Sequence, residues 1–295
     1  MKKILVGRTL ASAMVGGLLF LASCEDKVEF NSKDTSSVAD EATIDSYFED
    51  TDDMAVTMVS SDNSSSTGAD EGRVIANSIL DHRFKCATIT ITLAVDNTVL
   101  VPHGTIVADF GTGCTDNHGN TRKGKVIVEF SGRRFLPGST VVTTTDGYSI
   151  NGVTLEGTRT VTNISGSTEE SPKFNIVLEN GKATWPNGSI ATRDVNRTRE
   201  WIRAANPVND QWSVTGTASG TNRAGNVYEM TITSALVYKR ECAIGARVFM
   251  AVQGTKELIV NSKKLTIDYG TGDCDRIVTI TVDGTSDQLE VKGDS

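Results

Sequence analysis

Residue pairs that tolerate a positive φ recur along this chain between short β-type runs. Asn-Gly stands at 151–152, 180–181 and 187–188, and Asp-Gly at 146–147 and 283–284. The tightest hairpin turns need the left-handed region at both central residues, which Asn, Asp and Gly accept most readily. Runs rich in Val, Ile, Thr and aromatics lie at 125–130, 173–178, 227–233 and 277–282, and Thr88 to Leu93 alternates polar with apolar. Period-two alternation assigns one set of side chains to each face of a sheet. With 5 prolines in 295 residues and a single helical stripe, the expectation is an all-β, antiparallel body spanning 73–295.

The N-terminus follows different rules. Lys2, Lys3 and Arg8 precede an apolar run at 10–22, which is shorter than the ~20 residues a membrane-spanning helix needs. Leu21-Ala22-Ser23-Cys24 then resembles the bacterial lipobox. Small side chains let a signal peptidase reach the bond before Cys24, whose thiol takes the diacylglycerol. The alternative is an ordinary secretory signal with a chance cysteine. On the lipobox reading 1–23 is removed and Cys24 becomes the lipidated first residue, anchored to the membrane by its acyl chains.

Charge divides the mature chain. Between Glu25 and Gly72 there are 14 acidic residues against Lys27 and Lys33, whereas 73–295 holds 24 basic and 23 acidic residues. The segment 24–72 therefore reads as a lipidated acidic tether. Within it Ile44, Phe48, Ala55 and Met58 have helical spacing, which predicts a short acidic helix over 40–59. Residues 60–72 read as a low-complexity linker, so the tether should be separable from the body.

Four further cysteines, an even number in an exported chain, point to disulfides. An internal repeat suggests how they pair. Asp109-Phe110-Gly111-Thr112-Gly113-Cys114 matches Asp268-Tyr269-Gly270-Thr271-Gly272-Asp273-Cys274, and each copy has an upstream Cys-Ala, at Cys86 and Cys242. The expected bonds are Cys86–Cys114 and Cys242–Cys274, inside two related units at about 84–132 and 240–284 that flank a middle hairpin region.

The DFGTGC element, with GTRTVTN at 157–163, NRTREW at 196–201 and TGTASGTNRAG at 215–225, resembles uncharacterised lipoproteins of Bacteroidota-type bacteria. The resemblance implies an outer-membrane lipoprotein and offers no catalytic residues. Glu25 and Asp26 resemble the surface-export signal of such bacteria, which implies display at the cell surface.

No residue pattern argues for an enzyme over a binding or structural protein. The glycines of the Gly-Thr-Gly pieces precede strands rather than a helix, so they lack the frame of a phosphate loop. No Gly-x-Ser-x-Gly elbow is present. A metal set at Cys114, Asp116, His118 and His103 has no counterpart in the second copy, and calcium at Asp116, Asn117 and Asn120, or at Asp273 and Asp275, lacks a known spacing. No catalytic residue, metal, cofactor or nucleic-acid partner is assigned. The middle region is the candidate recognition site: Trp185, Trp201 and Trp212 fall close together in sequence, and Arg197, Arg199 and Trp201 would share one strand face. Such a face suits an extracellular glycan or anionic polymer. The competing reading places the tryptophans in the core and pairs the arginines with acids such as Glu156 and Glu200. An extracellular-polymer hydrolase and a periplasm-facing assembly lipoprotein are the alternative functions.

Overall fold

The computed structural model describes residues 32–61, 70–74, 81–168, 171–246, 248 and 250–291. The signal segment and Cys24 lie outside the described residues. A long helix, α1 (Ser32–Ser61), comes first. An antiparallel sheet follows: β1 (Asp70–Val74), β2 (Thr88–Leu93), β3 (His103–Asp109), the two-residue β4 (Cys114–Thr115), β5 (Thr121–Ser131), β6 (Thr140–Ile150), β7 (Val153–Asn163) and β8 (Lys173–Thr184). It continues through β9 (Ile190–Ile202), β10 (Gln211–Thr221), β11 (Val227–Lys239), a short helix α2 (Arg240–Gly245), β12 (Gln253–Val260), β13 (Lys263–Thr271), β14 (Ile277–Val282) and β15 (Thr285–Glu290). Each strand pairs with its neighbours in the chain, except that β4 pairs only with β5, beside the main path. The all-β antiparallel class is as the sequence indicates.

The turn dipeptides divide into two uses. Asn151-Gly152 and Asp283-Gly284 form two-residue hairpins with positive φ throughout, and Asn187-Gly188 lies in the 185–189 turn. Asp146-Gly147 and Asn180-Gly181 instead sit within β6 and β8, where the pairing register shifts. A bulge inserts an extra residue, bends the strand and increases its twist. Two of them face each other across β5 and β6: a Cβ on Gly124 would stand 2.3 Å from the Gly147 carbonyl oxygen.

These bends wrap the sheet around α1. Lys256 on β12 and Arg122 on β5 both reach the helix, at Glu41 and Asp50. Seven strand steps separate them, about 34 Å on a flat sheet, while their partners are about 13 Å apart along the helix. Only a strongly curved sheet brings both within reach. The core lies between the concave face and α1, where Ile44, Phe48, Met54, Ala55 and Met58 pack with Ile89, Ile91, Ile106, Val126 and Leu178. Ala39, Ala42, Ser46 and Ser60 remain exposed on the opposite side of the helix.

The helix is longer than the 40–59 expected, and it is no tether. Its buried face belongs to the core, and the boundary drawn at 72/73 falls inside β1. Local composition read as solvated because the acids' partners are far away in sequence.

Both expected disulfides are present, Cys86–Cys114 and Cys242–Cys274, with Cα separations of 5.8 and 5.0 Å. Each spans one hairpin, β2–β3 in the first case and β12–β13 in the second. The two Asp-x-Gly-Thr-Gly segments also share a local bond. The amides of Gly111 and Gly270 each donate to the aspartate two residues earlier, Asp109 and Asp268, at 2.8 Å. The segments nevertheless lie at opposite ends of the sheet. One end carries the turns at 151–152, 185–189, 222–226 and 261–262 together with the first disulfide. The other carries the longer connections at 94–102, 132–139, 164–172, 203–210 and 240–252 together with the second. They are called the tight-turn end and the long-loop end below.

Candidate functional site: an occupied arginine face and an open platform

Strand alternation places Arg193, Arg197, Arg199 and Trp201 on one face of β9, as the period-two reading requires. That face is the concave one, and α1 covers it. Carboxylates at Glu41, Asp45, Glu49 and Asp52 form a stripe at helical spacing along α1. Alone, such like charges one turn apart would cost about 0.2–0.5 kcal/mol per pair. Here each meets a cation. Arg193 donates to Glu41 at 2.9 Å and to Asp45 at 2.8 Å, and its side chain is 0% exposed. Arg197 holds Asp45 at 3.0 Å, and Arg199 holds Glu49 at 2.6 Å. From the other strands, Arg159 reaches Glu49 at 2.9 Å, and Lys256 reaches Glu41 at 2.7 Å.

The ladder extends further at Asp50, which accepts from Arg83 and Arg122. Arg83 also pairs with Asp81, and Arg122 with Asp116. The seven carboxylates of this network are thus matched by seven cations among the described residues. Burial works against the charged form of Glu49, but Arg159 and Arg199 outweigh it and bring its carboxyl down to about 2. Burial is likewise outweighed at Glu41 by Lys256 and Arg193, and at Asp45 by Arg193 and Arg197, so both stay below the ordinary range.

Arg197 and Arg199 therefore do not form an open binding face with Trp201. The alternative partners are also corrected: Glu156 pairs with Lys182, and Glu200 with Lys173. The real partners are about 150 residues upstream, beyond any local pattern. Asp116 is no calcium ligand set either. Its Oδ1 accepts from the amides of His118 and Asn120 at 2.9 Å, and its Oδ2 takes Arg122.

The tryptophans separate as well. Trp185 lies at the tight-turn end under Arg223, whose guanidinium stands 4.4 Å from its ring. Trp201 and Trp212 are direct cross-strand partners at the long-loop end, with ring centroids 6.3 Å apart. Phe135, from the 132–139 connection, lies 5.7 Å from Trp201 and 6.4 Å from Phe174. Two arginines rest on these rings. Arg134 stands 5.4 Å from both Phe135 and Phe174, and Arg203 stands 4.9 Å from Trp201 and 5.9 Å from Phe135. Ring faces attract guanidinium electrostatically through their quadrupole.

Hydrogen bonds fix this platform. The Trp201 indole donates to Asp210 Oδ2 at 3.1 Å, and Asp210 Oδ1 accepts from the Ala204 amide at 2.9 Å, which holds the 203–210 connection. The Arg134 carbonyl accepts from Ser139 and from Asn163 at 3.0 and 2.9 Å. The platform is open to solvent, with Phe135 42% exposed and Arg203 exposed. Within the described residues, neither Arg134 nor Arg203 has a carboxylate in ion-pair contact. Burial lowers the Arg134 pKa despite the charges of Asp52 and Asp53 nearby.

A second concavity, ≈ 560 Å³, lies across β8–β11 and carries Glu179, Asp194 and Glu229. Asp194 is engaged locally, accepting from the Asn180 amide at 2.7 Å.

Comparison with protein-family models, characterised proteins and solved structures finds no match to this chain.

Proposed function

We propose that this chain is a lipid-anchored envelope protein of the outer membrane, displayed at the cell surface, with a non-enzymatic binding role, and that it meets a glycan at the long-loop end. One observation carries the reading: the leading end of α1 and the aromatic platform lie at opposite ends of the sheet. Asp40 sits beside Arg223 of the 222–226 turn, and Arg193, opposite Glu41, also contacts Tyr228. The leading end of α1 therefore lies at the tight-turn end. Ser32 stands eight positions after Cys24, a span of at most about 28 Å. A lipid on Cys24 holds the tight-turn end toward the bilayer and leaves the platform facing away.

The test is fractionation and protease treatment of whole cells. The wild type should sediment with the outer membrane and lose its 203–210 connection to added protease. Cys24→Ser should remain unprocessed. A Cys24→Ser protein that matures and sediments like the wild type would overturn the anchor, and protection from protease in intact cells would favour the periplasm-facing reading. The groove bearing Glu179, Asp194 and Glu229 favours a second reading, hydrolysis of an extracellular polymer. Loss of a polymer-cleaving activity in Glu179→Gln would support that reading over the first.

A further inference from the structure

We infer that Arg134 and Arg203 grip a sulfate or carboxylate group of an anionic polysaccharide whose sugar ring lies against the exposed face of Phe135. The inference rests on the proposed binding role and supplies the chemical class of the ligand.

Three features of the platform lead there. First, its cations differ from the other clustered arginines of the protein. The guanidiniums on the concave face meet carboxylates of α1, whereas Arg134 and Arg203 rest on aromatic rings with no carboxylate in ion-pair contact among the described residues, the charges of Asp52 and Asp53 lying farther from Arg134. A half-buried guanidinium has lost part of its hydration, so an anion brought to it recovers a charge-assisted bond. Second, the rings serve the cations more than a neutral sugar. Trp201 has Trp212 stacked beside it and Arg203 over its face, while Phe135, which both guanidiniums also approach, is the most exposed ring of the platform at 42%. Contact with the rings restrains both guanidiniums and limits the freedom lost on binding. Third, both supporting connections are held before any ligand arrives, one through Asp210 and the other through the Arg134 carbonyl. Two forks beside one exposed ring suit an acidic sugar, with its charge at the guanidiniums and its apolar part against the exposed phenyl.

The experiment uses the full-length lipoprotein in detergent micelles, with heparin, polygalacturonate and neutral dextran as immobilised probes and phosphatidylglycerol vesicles as a separate arm. Retention is expected on heparin or polygalacturonate, weakening as salt rises, and not on dextran. Arg203→Ala should weaken it about tenfold or more, and Arg203→Lys should restore it only in part, because the fork is lost. Arg203 is exposed, so a folding defect is not expected, and a circular dichroism melt run in parallel checks this. Arg134→Gln should give a loss of similar size. Unchanged retention in Arg203→Ala overturns the inference, as does vesicle binding that falls in Arg203→Ala while neither acidic polymer is bound. Binding to dextran that is lost in Phe135→Ala but kept in Arg203→Ala overturns the anionic class while leaving the platform as a glycan site. Retention on none of the probes overturns the inference and leaves the membrane anchor to its own test.

Discussion

Arg199 and Arg203 stand four residues apart, yet they belong to different parts of the molecule. Arg199 points into the concave face and closes on Glu49 at 2.6 Å. Arg203, past the end of β9, rests on Trp201 with no carboxylate in contact among the described residues. The contrast shows that an arginine's role is set by what the fold brings opposite it. On the concave face the charge is a means of docking a helix. At the long-loop end the same charge rests on aromatic rings and has no carboxylate in ion-pair contact among the described residues.

Acid should break the comparison most completely. The carboxyls of Glu41, Asp45 and Glu49 have folded pKa values below their ordinary ones, with Glu49 at about 2. Their stabilisation is present above the unfolded values and is lost as pH falls through the folded ones. Between about pH 4.5 and 2 the ladder should therefore release α1, and urea midpoints measured across that window should drop steeply. Raising NaCl at pH 7 should leave the ladder nearly intact while weakening the platform, since buried pairs are screened less.

Removing one cation is the next largest step. Arg193→Met leaves Glu41 and Asp45 short of a partner and should cost about 3–5 kcal/mol, read from urea unfolding at pH 7. Cys242→Ser with Cys274→Ser opens a loop of 32 residues and should cost about 3–4 kcal/mol on the chain-entropy account. Arg203→Ala should change stability by no more than about 0.5 kcal/mol. If Arg203→Ala proved as costly as Arg193→Met, the division between docking and waiting arginines would fail.

Much of the fold could be read from the sequence because its signals are local. Alternation marked the strands. The two Cys-Ala and Gly-Thr-Gly landmarks paired the cysteines correctly. The Asn-Gly and Asp-Gly dipeptides located positive φ, but not whether it would serve a hairpin, as at 151–152, or a bulge, as at 180–181. Neighbouring strands decide that. The site was legible only in part. Arg197, Arg199 and Trp201 do share a face, but alternation cannot say which side of the sheet it is. The acidic stripe of Glu41, Asp45, Glu49 and Asp52 looked solvated because its partners begin at Arg159 and run to Lys256. The tryptophans are close in sequence, yet in a meander successive turns alternate between ends. Trp185 therefore went to one end, and Trp201 and Trp212 to the other.

The chain order of the ladder also sets how this protein can fold. Glu41 emerges early, whereas its partner Lys256 follows 215 residues later. The helix cannot be neutralised until β12 is in place, so its like charges keep the early helix marginal while most of the chain is still arriving. Closing so long a loop carries an entropy cost that later contacts must offset, and folds dominated by distant pairings acquire native structure slowly. The segment that completes the core therefore cannot lock until nearly all of the sheet is in place.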